Sequence, residues 1–328
     1  MNILITGSAG FIGFHISKFL LDNTNHKIFS IDSITDYYEV SLKKNRLKIL
    51  KGYKNFKFFK FDLKNCNKVI NNFKKHRYDI VLHLAAQAGV RYSIDHPEFY
   101  FKNNLEGFFN VLEISKINKI KHLIFASTSS VYGNNSKFPL TENMNTDKPL
   151  SFYAATKKSN EVMAYSYSNI YKLPSTALRF FTVYGPYGRP DMSLFKFTKA
   201  ILSNKKISFF NSGDHIRDFT YVDDIVDGIS SLISKPSQEK IPYNCFNIGY
   251  GKANKLITFL NLIEKNLNKE AIIKNLPLQK GDVKKTHASI KSLKKYSFYR
   301  PKINIEKGIK LFIDWYKKYY KVKSNEKK

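Results

Sequence analysis

Apolar and β-prone runs alternate with longer amphipathic stretches over the first half of the chain. Asn2–Thr6, Lys27–Asp32, Phe56–Asp62, Asp79–Ala86, His122–Ser127 and Ser175–Phe180 read as strands, with helical patterns between them. Several of these runs are continuously apolar, as expected of parallel strands that crossover helices cover on both faces. Repeated strand and helix predict an α/β fold, a doubly wound parallel sheet of the Rossmann type. Beyond about residue 185 the rhythm breaks at Pro186, Gly188, Pro190, Gly213, Pro236, Pro242, Gly249 and Gly251. This predicts a larger domain over 1–185 and a smaller lobe over 186–328. Some strands and helices of the second part are expected to return to the first. The stretch Tyr316–Lys328, rich in Lys and Tyr without a strong apolar period, is expected to fray.

With 43% hydrophobic and 15% aromatic residues in 328, the chain lies outside the composition of disordered proteins. Lys and Arg number 55 against 26 acids, a formal charge of +29. The lysines are scattered through every segment, which describes a solvated surface that favours anionic small ligands more than a nucleic-acid-binding arm. Cys66 and Cys245 lie far apart and outside any C-x-x-C pattern, so neither a disulfide framework nor a metal site is expected, and a reducing cytoplasm fits. The first residues lack a basic segment followed by an apolar stretch, and no run of about 18 apolar residues follows, so neither secretion nor a membrane is expected.

The first strand runs into Thr6-Gly7-Ser8-Ala9-Gly10-Phe11-Ile12-Gly13 and then an amphipathic helix. Gly7 permits a tight turn, Gly10 lets backbone approach a pyrophosphate, and Gly13 lets helix and strand pack, with the helix N-terminus facing an anion. Asp32 ends the second strand nineteen residues past Gly13. That is close to the offset at which a carboxylate meets the adenosine ribose, and it favours NAD over NADP. Asp62, followed by Leu63, fits either an adenine contact or a turn. The small residues of His83-Leu84-Ala85-Ala86 leave room for a ribose and nicotinamide along the strand ends, and His83 reads as core.

Tyr153 and Lys157 sit four apart in a helical stretch, Phe152–Ile170, and share a face. A phenol with an ordinary pKa of about 10 is a poor base at neutral pH, but a neighbouring ammonium and a cationic nicotinamide favour its phenolate. The pair follows Ser127-Thr128-Ser129-Ser130 by twenty-five residues from Thr128 to Tyr153. A hydroxyl, a phenol and an ammonium are expected to converge at the strand ends.

With these motifs the chain resembles the extended short-chain dehydrogenase/reductases, and within them the UDP-glucuronate 4-epimerases. The resemblance runs over nearly the whole chain. It rests on Thr6–Gly13, Asp32–Val40, His83–Ser93, Asn104–Gly107, Tyr153–Lys157 and Arg179–Met192. By position it implies Thr128, Tyr153 and Lys157 as catalytic residues. It implies an NAD site of Gly7, Gly10, Phe11, Ile12, Gly13, Asp32, Asp62, Leu63, Leu84, Ala85, Ala86, Asn104 and Ser127 with Tyr153 and Lys157. It further implies that Arg91, Ser129, Ser130, Thr182, Arg189, Arg217 and Asp282 bind the sugar nucleotide. Arg217 falls where family members address the diphosphate. The chain departs from the family at Lys280-Gly281-Asp282-Val283, which resembles Pro-Gly-Asp-Val, and at Thr286-His287-Ala288-Ser289, which resembles Thr-x-Ala-Asp.

Similar dehydratases and decarboxylases carry acids just after the catalytic Thr. Ser129 and Ser130 stand there in this chain and are poor proton shuttles, which favours simple oxidation at sugar carbon 4 and re-reduction on the opposite face. The glucuronate intermediate would be a β-keto acid, and Thr128, Ser129, Ser130 and Arg189 are candidates for holding its carboxylate. UDP-glucose and UDP-N-acetylglucosamine are alternative substrates, and a non-catalytic NAD- or nucleic-acid-binding protein is the rival reading. Surplus apolar positions on Pro97–Lys116 and Phe152–Ile170 suggest a homodimer through paired helices.

Overall fold

In the computed structural model, which describes residues 1–279 and 281–322, the first six strands are β1 (Asn2–Thr6), β2 (Lys27–Asp32), β3 (Phe56–Lys60), β4 (Ile80–His83), β5 (His122–Thr128) and β6 (Ser175–Phe180). Then come β7 (Thr182–Tyr184), β8 (Lys206–Phe210), β9 (Ile216–Tyr221), β10 (Tyr243–Ile248), β11 (Ala253–Lys255) and β12 (Ile272–Leu276). The main sheet has the order β10-β6-β5-β4-β1-β2-β3, and every neighbouring pair in it is parallel.

Residue alternation in β1 explains why its sequence is apolar throughout. Ile3 and Ile5 face a core with Phe14 and Leu20 of the helix Phe11–Asn23, while Leu4 faces Val69, Phe108 and Val111 on the other side. β3 and β4 end sooner than their apolar runs do. Past Lys60 the chain turns at Asp62, whose Oδ1 accepts the Lys64 N–H at 3.0 Å, and past His83 it lifts off the sheet towards the first turn. The order reverses at β1, which lies between β2 and β4 and opens a crevice above their carboxyl ends.

The second half of the chain returns to this body. β10 extends the sheet beyond β6, and the helix Val222–Leu232 packs Ile225 and Ile229 into the same core as Ile3 and Ile5. The remaining elements form the smaller part: β7, β9 and β11 in one sheet, β8 parallel to β12 in another, and helices Ser193–Leu202, Leu256–Leu267 and Ile305–Tyr319. Their shared core includes Phe195, Ile263 and Phe312, with Phe219 stacked on Phe259 at 4.0 Å.

The last helix corrects the expectation of a frayed tail for part of its length. Asn304 accepts the Lys307 N–H at 3.0 Å as an N-cap, and Ile305, Ile309, Phe312, Ile313 and Tyr316 recur at helical spacing on the buried face. That period begins before Tyr316, so the tail considered by itself hides it. Residues 323–328 lie outside the described residues.

Candidate active site

The crevice is a cleft of about 1200 Å³ between the main sheet and the smaller part. Every residue that the sequence assigned to cofactor, substrate or chemistry lines it, except Asn104. Asn104 is buried in a π-helical turn, Phe101–Glu106, which interrupts the helical stretch expected over Pro97–Lys116. Its Oδ1 accepts the Gln87 N–H at 2.8 Å, and its Nδ2 donates to Gln87 O at 3.0 Å and Thr156 Oγ1 at 3.1 Å. The amide is spent on protein partners, so Asn104 ties the loop after β4 to the helix of Tyr153 and does not reach the cleft.

The glycine turn fits a dinucleotide. Gly7 has φ +80°, and a Cβ there would lie 2.7 Å from the Ala85 nitrogen, where the turns after β1 and β4 meet. A Cβ on Gly13 would stand 2.1 Å from Gly7 O, and one on Gly10 at 2.9 Å from the same oxygen. The three positions leave bare backbone around the N-terminus of the helix Phe11–Asn23, a cradle that any side chain would fill. The Asp32 carboxylate accepts the Ala9 N–H at 3.0 Å and the Ile34 N–H at 2.8 Å. Burial pushes its pKa up, against the pull of those N–H groups and of Lys43. Lys157 is 1% exposed, lines the cleft, and its Nζ has no hydrogen-bond partner among the described residues. An orphaned ammonium at the end of a crevice built for a dinucleotide fits ribose hydroxyls. These observations support an NAD site.

Tyr153 and Thr128 share the cleft, with Ser129 and Ser130 beside them. Thr128 Oγ1 accepts the Ser130 N–H and donates to Ser130 Oγ, both at 3.2 Å, so it caps the short turn Ser129–Tyr132. The electrostatics differ from the sequence expectation. Burial raises the Tyr153 phenol, and the opposing influences are the Thr128 hydroxyl and the Arg189 guanidinium. Burial pulls Lys157 down to about 8, with Glu161 acting against it. At the phenol, desolvation outweighs both opposing groups, and Lys157 is not among the groups that lower it, so the protein's own groups leave Tyr153 a weak acid.

The arginines line the cleft with their forks already engaged. Arg189 donates from Nε and Nη2 to the Asp191 carboxylate at 3.0 and 2.5 Å, and from Nη2 to Ala88 O at 3.2 Å. A bidentate hold on a sugar carboxylate would have to displace Asp191. Arg217 donates to the carbonyls of Val283, Lys284 and its neighbour Ile216, and burial lowers it to about 10. Arg91 stacks 4.5 Å over the Phe210 ring and pairs with Asp282 at 2.9 Å. Thr182 lines the wall beside these groups. Lys196, on the helix Ser193–Leu202, joins Arg91, Arg189 and Arg217 in the lining and was not singled out in the sequence. These four, among the seven described Lys and Arg side chains that line the cleft, suit a nucleoside diphosphate.

Arg46 was also missed. It is fully buried and donates from Nη1 to Ala9 O and Tyr38 Oη, both at 2.7 Å, and from Nη2 to Tyr187 O at 2.6 Å. It joins the glycine turn to the segment before Arg189, a role that an amphipathic helix pattern does not announce.

Among known proteins, the chain is 48% identical to Protein CapI of Staphylococcus aureus, over 98% of this chain and 100% of that one. It is 42% identical to the UDP-glucuronate 4-epimerase of Thermodesulfobacterium geofontis, over 96% and 95%. The UDP-glucuronic acid 4-epimerase of Bacillus cereus, solved in complex with UDP-glucuronic acid and NAD, superposes with a TM-score of 0.92 at 33% identity, covering 98% of this chain and 100% of that one. The family model described as "NAD dependent epimerase/dehydratase family" matches residues 3–249. A glycine cradle, an unpartnered lysine and a phenol gathered at the reversal of a doubly wound sheet are thus no chance arrangement: the chain belongs to the NAD dependent epimerase/dehydratase family.

Proposed function

We propose that the protein is an NAD-dependent UDP-sugar 4-epimerase that interconverts UDP-glucuronate and UDP-galacturonate. The observation that carries this reading is the meeting of Tyr153, Thr128 and Lys157 in one cleft where Ser129 and Ser130 follow Thr128 and no carboxylate does. Gly7, Gly10, Gly13 and Asp32 would hold the cofactor's adenosine and diphosphate, and Lys157 its nicotinamide ribose. NAD⁺ bound there supplies the acceptor for the hydride of sugar carbon 4 and a positive charge beside the phenol.

Tyr153 Oη takes the proton of the sugar 4-hydroxyl as carbon 4 is oxidised, and returns it to the same oxygen after the 4-keto sugar has turned over. Thr128 Oγ1 sits at the capped end of β5 to hold that oxygen. Ser129 and Ser130 present hydroxyls that bind a carboxylate without shuttling protons, which guards the β-keto acid against losing carbon dioxide. Arg91, Arg189, Arg217 and Lys196 set the charge of the far end of the cleft for the diphosphate, with Asp282 and Thr182 beside them.

Incubation with UDP-glucuronate, separation of the 4-epimers and a measurement of released carbon dioxide tests the reading. Interconversion without carbon dioxide is expected; turnover of UDP-glucose or UDP-N-acetylglucosamine alone would replace the substrate. Tyr153→Phe should bind NAD and lose at least ~10³-fold in kcat.

We also infer a homodimer. Phe99, Phe101 and Ile117 on one helical stretch and Val162, Tyr165 and Ile170 on the helix Phe152–Tyr171 are exposed, which an unpaired surface disfavours. Sedimentation should give twice the chain mass. Free Cys66 and Cys245 agree with a reducing cytoplasm. No helix among the described residues is long and apolar enough to cross a membrane, and a cleft shaped for a small anion gives the positive charge a use without nucleic acid.

A further inference from the structure

The side chains of the proposed reaction come from two elements, and the group that fastens these together was not among the residues marked in the sequence. Glu161 lies one helical turn beyond Lys157 and two beyond Tyr153. Its Oε1 accepts the Ser127 hydroxyl at 2.6 Å and the Arg179 Nε–H at 2.9 Å, and its Oε2 accepts the Arg179 Nη2–H at 2.8 Å. Arg179, on β6, donates further from Nη1 to Tyr132 Oη at 3.0 Å and to Glu142 O at 3.1 Å. Tyr132 in turn donates to Asn247 Oδ1 on β10 at 2.6 Å. One carboxylate therefore binds the helix of Tyr153 and Lys157 to β5 and β6 and, through two more residues, to β10. Ser127 is the residue before Thr128. Glu161 and Arg179 are each 4% exposed, so water does not compete for these bonds.

We propose that Glu161 is a positioning residue: it fixes Tyr153 and Lys157 against Thr128 through Ser127 and Arg179, and it is the counter-charge that the Lys157 ammonium faces along the helix. The inference deepens the epimerase reading and rests on it. A bidentate fork fixes direction as well as distance, which a single hydrogen bond or an apolar contact does not. Lys157 needs a counter-charge near it because its Nζ has no hydrogen-bond partner among the described residues. Glu161 is the group that holds the Lys157 pKa up against burial. The other groups facing this pair are His83 on β4, Tyr132 on the turn after β5, Arg179 on β6, and Tyr243 and Cys245 on β10. Burial keeps His83, Tyr132, Tyr243 and Cys245 uncharged, and Arg179 stays charged. Near neutrality, Lys157 is therefore the member of this cluster that titrates.

The test compares full-length wild type, Glu161→Gln and Ser127→Ala. It reads kcat and KM for UDP-glucuronate from pH 6 to about 10, and the NAD dissociation constant over the same range by calorimetry on nucleotide-stripped protein. Glu161→Gln should lower kcat by ~30-fold or more with KM within ~3-fold. The pH above which kcat and NAD affinity decline should also move lower, because Lys157 sheds its proton sooner. Ser127→Ala keeps the charge and loosens β5, so kcat should fall by about 5-fold with that pH unchanged. Wild-type kcat in Glu161→Gln, or a lower melting temperature with the pH of decline unmoved, overturns the proposal. If Glu161→Gln does not fold, Glu161→Asp keeps the charge at shorter reach and should lose kcat; wild-type rates in both Glu161→Asp and Ser127→Ala overturn it equally. An inactive wild type would refute the epimerase reading instead, and the NAD affinity profile would still decide the role of Glu161.

Discussion

Arg91 and Asp282 stand 191 residues apart in sequence and meet at 2.9 Å, one from the loop after β4 and the other from the segment after β12, both in the lining of the cleft. The two sides are in close contact there, since a Cβ on the neighbouring Gly281 would lie 3.3 Å from Val90 Cγ1. Arg91 is half exposed, so the pair is worth about 0–1 kcal/mol to stability. In the proposed function its use is to present a guanidinium to the UDP-sugar. Arg91→Ala should leave the denaturation midpoint nearly unchanged, raise KM for the UDP-sugar by ~10-fold and leave kcat within ~3-fold. Steady-state kinetics beside urea titration check this, and an unchanged KM would remove Arg91 from the substrate site.

In the proposed mechanism Lys157 serves the chemistry at the expense of stability. Its ammonium is buried without a hydrogen-bond partner among the described residues, and its pKa falls from 10.5 to about 8. The unfolded chain holds this proton more tightly than the folded one. Burial therefore costs stability below about pH 8, and the cost shrinks as pH rises from about 8 towards 10.5. Lys157→Met should stabilise the nucleotide-free protein at pH 7 by on the order of 2–3 kcal/mol while abolishing turnover. The advantage over wild type should narrow towards pH 10. Urea titrations of both proteins at two pH values measure it, and equal midpoints at pH 7 would show that the ammonium is not strained.

The glycine cradle gives the opposite kind of variant. A Cβ on Gly13 would sit 2.1 Å from Gly7 O, a backbone atom that cannot swing aside, so helix and turn must part. Gly13→Ala should cost roughly 1–3 kcal/mol of stability and weaken NAD binding by at least ~10-fold. Calorimetric titration with NAD is the check. Wild-type affinity in this variant would mean that the turn tolerates a displaced helix and that its tightness has no bearing on the cofactor.

The parts of this architecture written in local pattern were legible without coordinates. β1, β2 and β6 begin and end at the residues that the apolar runs mark, because burial on both faces leaves a contiguous signature. The glycine spacing and the Tyr153 to Lys157 interval are equally local. What stayed hidden depends on contacts distant in sequence. β10, with Asn244 and Asn247 in its run, resembles no buried strand until β6 is beside it. Glu161 had a sequence signal that was available and unused: it shares the face of Lys157, and Arg179 lies within a strand that is buried throughout, so each buried charge called for a partner. Arg46 had none, since a cationic residue in a lysine-rich helix looks solvated. The direction of the Tyr153 shift was hidden because it turns on burial, which spacing does not reveal.

In the proposed cofactor site the choice between NAD and NADP turns on Asp32. Its two oxygens accept one backbone N–H each, from Ala9 in the glycine turn and from Ile34, so the side chain is oriented before any ligand arrives and keeps lone pairs free towards the cleft. A carboxylate so placed accepts ribose hydroxyls and repels a 2′-phosphate at short range, where a few ångströms of low-polarity surroundings leave little screening. Asp32→Asn keeps the shape, gives up the charge and turns one acceptor into a donor. The oxygen that accepted from a backbone N–H loses that bond, so NAD affinity should fall by ~10-fold, while NADP gains from the missing repulsion. The ratio of the two dissociation constants should narrow by ~10² or more. Parallel calorimetric titrations with the two nucleotides read this directly, and an unchanged ratio would place the discrimination elsewhere in the cleft, with the nearby Lys43 the next group to replace.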